Sequence, residues 1–298
     1  MDLIAQMMPE ALRKQNFFSR PKLRRGLGLT LSVTVVLTIL FLKSRLPHRQ
    51  HLQGRAMGCE WTVLTREARV SDDHLHREVA RVLEHWEQVM SSWRPDSDLN
   101  RYQQGHRAPA DLQRVLDLAE EMRRVTEGAF DVRVRAAVHR AGFAPAGGEM
   151  DLSGLGKGFA VDRVAERLRE LGYRDFLVQL AGETIAGDEP WQVALESPDP
   201  SARVASQQVT LCRQALATSG NYRQFHRGDD GKIRSHLIDP ATGEPVIREW
   251  TAVSVIAADA ASADAWSTAC FVRGMRRAGP GMRVIWQQAD TGSGEQAR

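Results

Sequence analysis

The stretch Met150–Asp162, MDLSGLGKGFAVD, constrains the fold more than any other part of this sequence. It predicts an extended segment ending in Asp151, a tight turn with glycine at three alternate positions, and a helix to Leu171 that Gly172 ends. Glycine lets the backbone approach a ligand closely because it has no Cβ atom. The start of the helix offers free N–H groups to an anion, and Lys157 stands beside them. An ordinary corner with a solvated lysine shows the same pattern, so both interpretations stay open at this point.

Composition and charge exclude several classes of protein. The chain has 298 residues, of which 42% are hydrophobic and 26% are charged, so it can form a globular core and still include a membrane segment. The net charge of +3 is too small to indicate a nucleic-acid partner, and none is expected. Cys59, Cys212 and Cys270 are widely spaced, so neither a cysteine zinc site nor a disulfide framework is predicted.

An apolar run near the N-terminus predicts a membrane anchor. Residues 26–42, GLGLTLSVTVVLTILFL, carry no charge and would span about 25 Å as a helix. Six lysine or arginine residues precede the run and four lie within a similar distance after it, which favours a cytoplasmic N-terminus. No small-residue cleavage site of a signal peptide follows the run. We therefore predict a basic cytoplasmic segment over 1–25, an uncleaved transmembrane anchor over 26–42 and a polar linker over 43–55.

The rest of the chain mixes helices and strands. Apolar residues three and four apart predict helices after a cap at Ser71–Asp73, over Asp111–Thr126 and near Ser262–Arg273. Strand composition recurs in Met57–Arg66, Phe176–Leu180, Trp191–Glu196, Gln208–Leu211, Ile233–Ile238, Thr251–Ala257 and Met282–Gln287. Because no steady βαβ alternation occurs, we predict an α+β fold with a mixed sheet in one compact domain over 56–288, followed by a polar tail over 289–298.

Two segments carry groups suited to chemistry. Asp264 and Thr268 are four residues apart on a predicted helix, so both oxygens project from one face and could bind Mg²⁺. They could equally cap and back-bond the helix. The segment Thr218–Tyr222 is predicted to be a polar turn after a strand. His236 precedes a second turn, Asp239–Gly243, and a single histidine is commonly structural or solvated.

Taken together, seven blocks resemble one family in the same order along the chain, the FAD:protein FMN transferases, often called the ApbE family. The resemblance covers about residues 57–274, and the ordered set is far more specific than any single block. The matching blocks are Met57–Gly58, Ser92–Ser97, Gly128–Asp131, Asp151–Asp162, Thr218–Gly220, His236–Gly243 and Ala263–Ala265 with Thr268.

The resemblance implies an ApbE-like fold and a site for FAD and Mg²⁺. It implies that FAD, as substrate, contacts Met57, Trp93, Ala129, Phe130, Asp131, Asp151, Lys157 and the backbone near Ile238. It implies that Mg²⁺ is held by Asp264, Thr268 and backbone oxygens near Gly154 and Ser267. His236 matches the histidine usually given a catalytic role. The residue chemistry agrees, because a diphosphate needs a metal, a lysine and backbone donors close together.

The sequence departs from the family pattern at several positions. Cys59 stands where Thr is usual, and Gln179–Glu183 replaces an Asn-x-Gly-Gly-acid turn. Arg133 and Arg135 stand where Thr and Gly are common. These arginines could assist a phosphate site, or could fill it and abolish FAD binding.

Three functional hypotheses follow. The first is Mg²⁺-dependent transfer of FMN from FAD to a Thr or Ser side chain of a partner protein, with release of AMP; Lys157 and His236 would be the catalytic residues. The acceptor would be a flavoprotein subunit of a membrane redox protein, and the transferase domain would face the periplasm from the bacterial inner membrane. The second is an FAD pyrophosphatase that gives free FMN and AMP. The third is a non-catalytic FAD-binding or docking module.

Overall fold

A computed structural model describes residues 50–199, 204–227, 233–246, 248–249 and 251–289. The predicted segments over 1–25 and 26–42, most of the predicted linker and residues 290–298 of the predicted tail lie outside this description. Within the described ranges, no helix is both long enough and apolar enough to cross a membrane.

A seven-stranded sheet forms the centre of the described fold. Its order is β1-β2-β3-β4-β7-β12-β13, and every neighbouring pair is antiparallel. These strands are β1 (Gln50–Ala56), β2 (Cys59–Thr65), β3 (Phe176–Leu180), β4 (Glu183–Ala186), β7 (Ala215–Gly220), β12 (Thr251–Ala257) and β13 (Arg283–Gln288). The predicted single α+β domain is confirmed. The predicted mixed sheet is wrong, because β1–β2 and β3–β4 are hairpins and the longer connections also return antiparallel.

Six helices and three small strand pairs complete the described chain. The helices are α1 (Asp72–Met90), α2 (Asp98–Gln103), α3 (Ala110–Val125), α4 (Arg135–Arg140), α5 (Ser153–Glu170) and α6 (Ala260–Arg273). The pairs are β5 (Trp191–Glu196) with β6 (Ala205–Leu211), β8 (Phe225–Arg227) with β9 (Ile233–Ser235), and β10 (Ile238–Asp239) with β11 (Glu244–Pro245).

The two faces of the sheet are covered by different elements. Side chains alternate along a strand, so Val178 and Leu180 of β3 join the main core with the helices. Leu177 points the other way and packs with apolar side chains of the β5–β6 hairpin, among them Val193 and Leu211. The helices on one face thus include α5 and α6, whose mutual contact positions the site.

Helices α5 and α6 cross very closely. A Cβ atom at Gly158 would lie 2.2 Å from the carbonyl oxygen of Ala260, so only glycine fits there. Both carboxylate oxygens of Asp162 accept hydrogen bonds from the start of α6, from the N–H of Ala260 (2.8 Å) and of Ala261 (2.9 Å). Helix α6 ends at Gly274, whose φ of 70° suits glycine.

Several predicted elements differ from the observed ones. The linker predicted over 43–55 is wrong from residue 50, where β1 begins. Gln50 is 1% exposed and bonds to Val70, Asp72 and Tyr173, so a polar side chain fills an inward position that hydropathy does not reveal. The single strand predicted over Ile233–Ile238 is divided between β9 and β10.

The predicted turn at Thr218–Tyr222 is also wrong in its first half, because Thr218, Ser219 and Gly220 belong to β7. Small hydroxyl side chains on this central strand bond to neighbouring elements: Thr218 pairs with Ser254 and Ser219 with Ser267. By contrast, the predicted stop of α5 at Gly172, with φ of 88°, is confirmed. The predicted tight turn before the helix is wrong, because α5 begins at Ser153 and all three glycines lie in its first turns.

We predict that Gly158→Ala lowers the free energy of unfolding by about 2 kcal/mol or more, because the added methyl group would overlap the backbone of α6. Urea-induced unfolding measures the change. Gly156→Ala, also in α5, is the matched control: its Cβ would lie 3.4 Å from the flexible side chain of Met90, and we expect a change below about 1 kcal/mol. Equal effects at the two positions would contradict the close crossing.

Candidate active site at the start of α5

The start of α5 is shaped by Asp151 and by the glycines that follow. Asp151 is buried, and its side chain accepts a hydrogen bond from the N–H of Ser153 (2.8 Å). No side chain caps the helix at Leu152. Asp151 thus engages the first N–H group of α5, and the Leu152 carbonyl accepts from Leu155 and Gly156. The positive end of the helix dipole still favours an anion beside this turn.

Asp264 and Thr268 of α6 both reach the glycine corner, which is the start of α5 over residues 154–158. The carboxylate oxygen Oδ2 of Asp264 accepts a hydrogen bond from the N–H of Gly158 (3.1 Å). A Cβ atom at Gly154 would lie 3.4 Å from the Thr268 hydroxyl oxygen. In a regular helix the Gly158 N–H donates to the carbonyl of Gly154, so Asp264 competes with that carbonyl for the same donor.

A chain of hydroxyl groups links α6 to the sheet. The hydroxyl of Ser219 on β7 lies 2.7 Å from that of Ser267 and 3.1 Å from that of Thr268. The Ser267 hydroxyl in turn donates to the backbone carbonyl of Asp264 (2.9 Å). Ser219 was not among the predicted site residues; its place in the Thr218–Gly220 block was the available signal.

Lys157 lies between two buried carboxylates. Its Nζ is 2.7 Å from Oε1 of Glu183 and 3.8 Å from Oδ2 of Asp264. Burial raises the pKa of both acids, although the Lys157 charge acts against it. Burial alone would lower the pKa of Lys157, but the charges of Asp264 and Glu183 outweigh it and hold that pKa above its usual range. Lys157 is therefore a permanent positive charge at neutral pH.

Glu183 is a site residue that the sequence did not single out. It begins β4 and is 2% exposed, and its Oε2 is buried with no hydrogen-bond donor among the described residues. The available signal was its place as the acidic end of the Gln179–Glu183 segment.

The side-chain oxygens of Asp264 and Thr268 are suited to a hard divalent cation. Within the described ranges, no group of three or more His, Cys, Asp or Glu side chains could hold a metal ion. Mg²⁺ needs only one or two carboxylates when substrate phosphates and other oxygens complete its coordination. The Asp264 carboxylate, the Thr268 hydroxyl and nearby backbone oxygens meet that requirement.

His236 lies between β9 and β10 and is half-buried. Its Nδ1 is 3.4 Å from the backbone oxygen of Gln224, and its ring meets the Phe143 ring edge-on at 5.9 Å. Burial lowers the pKa of His236 to about 4, and the Lys157 charge lowers it further. Since a carbonyl only accepts, the bond to Gln224 requires the proton on Nδ1, which leaves the Nε2 lone pair free.

Met57 and Trp93 occupy two loops joined by Glu87. Met57 adopts φ of 51° in the β1–β2 turn, and its N–H donates to Oε2 of Glu87 (2.9 Å). Arg94, next to Trp93, forms an ion pair with the same oxygen (3.3 Å). Trp93 itself is 68% exposed, whereas the Met57 methyl group lies beside Gly156.

The block Gly128–Asp131 lies next to the glycine corner. Ala129 and Phe130 are buried, and a Cβ atom at Gly154 would lie 3.3 Å from the Phe130 ring. Asp131 pairs with Arg133 through both carboxylate oxygens, at 3.0 and 2.7 Å. Ile238, at the start of β10, is buried in a separate small cluster with Val138 and Ala144.

Arg133 and Arg135, the two arginines that depart from the family pattern, both have partners in the structure. Arg133 covers Asp131. Arg135 is buried and donates to the Asn100 side chain (2.7 Å) and to the backbone oxygen of Ser92 (2.9 Å), so it braces the loop that bears Trp93. Neither contact involves Lys157, Asp264 or Thr268. Cys59 begins β2 near Lys157. Burial has the largest effect on the pKa of Cys59 and raises it, whereas the Lys157 charge lowers it.

Comparison with known proteins identifies the family. A sequence profile of the ApbE family matches residues 57–149 and 143–289. An FAD:protein FMN transferase of Vibrio cholerae is 30% identical, over 76% of this chain and 82% of its own length. The chain belongs to the ApbE family.

Other members of the ApbE family agree in sequence and in structure. An FAD:protein FMN transferase of Haemophilus influenzae is 29% identical, over 76% of this chain and 81% of its own length. The crystal structure of Pseudomonas stutzeri flavinyl transferase ApbE, apo form, is 26% identical with a TM-score of 0.68, over 80% of this chain and 95% of that one. The predicted resemblance to the ApbE family is thus confirmed.

We predict that His236 titrates near pH 4 in the folded protein, because burial disfavours the imidazolium form. An unfolded imidazole takes up a proton near pH 6.5, so the stability that neutral His236 contributes is present above about pH 6.5 and is lost as the pH falls through about 4. NMR titration of the ring measures this pKa.

In His236→Gln the free energy of unfolding should fall less on acidification than in the wild-type chain. In His106→Gln, at an exposed position, its dependence on pH should match that of the wild-type chain. A His236 pKa of about 6 or higher would contradict the prediction.

Proposed function

We propose that this chain is an FAD:protein FMN transferase that depends on Mg²⁺, attaches FMN to a Thr or Ser side chain of a partner protein and releases AMP. The observation that carries the proposal is the meeting of Asp264 and Thr268 with the glycine corner of α5, beside Lys157. FAD:protein FMN transferase is also the name of the Vibrio cholerae and Haemophilus influenzae relatives.

The corner of α5 would receive the diphosphate of FAD. The helix dipole favours an anion at this position. Lys157 adds a fixed positive charge, since its raised pKa keeps it protonated and unable to act as a base. Mg²⁺, held by Asp264, Thr268 and backbone oxygens of Gly154 and Ser267, would neutralise charge on the phosphoryl oxygens.

The rest of FAD would lie against the neighbouring loops. Met57 and Phe130 border the corner on two sides. Trp93 offers an exposed aromatic face on which a flavin or adenine ring could stack. Asp131 and Ile238 complete the proposed contacts, with Arg133 adding positive charge next to Asp131.

In the proposed reaction the acceptor hydroxyl oxygen attacks the phosphorus on the FMN side of the diphosphate. A new O–P bond forms, the bridging P–O bond breaks and AMP leaves. His236 takes the hydroxyl proton on Nε2, because its lowered pKa leaves the imidazole neutral at pH 7. The fixed positive charge of Lys157 stabilises the phosphoryl oxygens as the bond order changes.

The resemblance to the ApbE family implies acceptors with the motif Asp-x-x-(Ser/Thr)-Gly-Ala-(Ser/Thr). We predict that the protein, given FAD, Mg²⁺ and such an acceptor, increases the acceptor mass by one FMN with release of AMP. Intact-protein mass spectrometry measures the product. Asp264→Asn should lower the rate by about 100-fold or more, since it removes the only carboxylate in the proposed metal shell.

The matched control is Asp73→Asn, at an exposed position in the first turn of α1, which should keep the wild-type rate. Free FMN and AMP with an unchanged acceptor would show hydrolysis instead of transfer. Bound FAD without any product would indicate a docking module. Either result contradicts the proposed transfer.

We further propose that the chain is a single-pass protein of the bacterial inner membrane, with its transferase domain in the periplasm and a membrane redox protein as acceptor. The charge-free run over 26–42 and the basic bias before it support this orientation. An anchor would confine the transferase and its acceptor to the same surface.

The full chain is therefore expected in the membrane fraction after a carbonate wash, and a variant lacking residues 1–42 in the soluble fraction. Protease added to spheroplasts should digest the domain of the full chain. Recovery of the full chain in the soluble fraction, or protection of its domain from protease, would contradict the assignment.

A further inference from the structure

A second carboxylate, outside the proposed metal shell, joins α5 to α6. Asp162 is 7% exposed, and its two oxygens accept from the N–H groups of Ala260 (2.8 Å) and Ala261 (2.9 Å). These are the first two N–H groups of α6. The third, that of Ser262, is already capped by Asp259 (2.7 Å). Asp162 thus completes the capping of α6 from a different helix.

The two helices run antiparallel to each other and meet through three successive contacts. Gly154, Gly158 and Asp162 are four residues apart, so they lie along one face of α5. Gly154 faces Thr268, Gly158 donates to Asp264, and Asp162 accepts from the first turn of α6. A slide of α6 by one residue would break all three contacts together.

We propose that Asp162 is a positioning residue for the metal site, whose carboxylate fixes the register of α6 on α5 and so holds Asp264 and Thr268 at the glycine corner. Asp162 touches neither of these two residues. It acts at the far end of the contact, where its two hydrogen bonds set how far α6 extends along α5. The inference rests on the proposed function only in so far as its first test measures metal affinity.

The energetics of Asp162 support a positional role. Burial raises the pKa of Asp162 to about 7 even though the two backbone hydrogen bonds lower it, and the nearby Asp259 charge raises it further. A carboxyl group with a raised pKa contributes most stability when protonated, and that contribution is lost as the pH rises through about 7. The ionised carboxylate at pH 8 therefore fixes an arrangement at a cost to overall stability.

The test uses Asp162→Asn in the full-length chain at pH 8. The amide keeps the size of the side chain but accepts from only one of the two N–H groups and turns its own N–H toward the other. We expect the affinity for Mn²⁺, measured by electron paramagnetic resonance, to fall about 10- to 100-fold, as is typical when a group that orients a metal ligand is lost. We expect Tm to stay within about 4 °C of wild type.

Asp259→Asn is the matched control at the same helix end. Asparagine caps helices as well as aspartate does, so the Mn²⁺ affinity should change by less than about twofold. An unchanged affinity in Asp162→Asn would overturn the proposal. A Tm loss of about 10 °C or more that accompanies weaker binding would also overturn it, because the residue would then support the fold in general. If Asp162→Asn does not fold, Asp162→Ser takes its place under the same criteria.

The result also separates this inference from the proposed function. If the wild-type chain binds no Mn²⁺, the proposed metal site fails, and amide hydrogen exchange across 260–268 decides the register instead. Exchange that is about tenfold faster in Asp162→Asn than in Asp259→Asn supports the positional role, and equal exchange overturns it.

Discussion

The close antiparallel contact of α5 and α6 is the constraint on which the rest of the site depends. It requires glycine at 158, where any side chain would overlap the backbone at Ala260. Once the helices are this close, Gly154 faces Thr268 and Gly158 reaches Asp264. The sheet then supplies Ser219 and Glu183 from β7 and β4. A single packing arrangement thus brings together carboxylate and hydroxyl oxygens, a lysine and a helix start.

The cost of burying charge makes this point of the fold suited to a charged ligand. Asp264 and Glu183 are buried, and burial raises both pKa values, so the two carboxylates are poorly satisfied by the protein alone. Lys157 offsets part of this negative charge, and one oxygen of Glu183 still has no donor among the described residues. Groups in this state are typical of sites that bind a charged ligand.

Local pattern was enough to predict most helices and several strands, because apolar spacing and glycine stops act over a few residues. It failed where a polar group faces inward, as at Gln50 in β1 and at Ser219 in β7. The pairing of Gly154 with Thr268 joins residues far apart in the chain, so the residue pattern alone gave each half and only the family resemblance joined them. An acid beside a turn has no distinguishing local feature, so only the comparison of Gln179–Glu183 with the family turn could have indicated Glu183.

The central claim is that Asp264 and Thr268 hold a divalent cation against the diphosphate of FAD at the α5 corner. The most direct test is the relaxation of the two ³¹P nuclei of bound FAD when Mn²⁺ replaces Mg²⁺, measured without acceptor. We expect strong enhancement of the relaxation of both nuclei in the wild-type chain and its loss in Asp264→Asn. Enhancement that survives in Asp264→Asn, or bound Mn²⁺ that leaves both nuclei unaffected, would contradict the central claim.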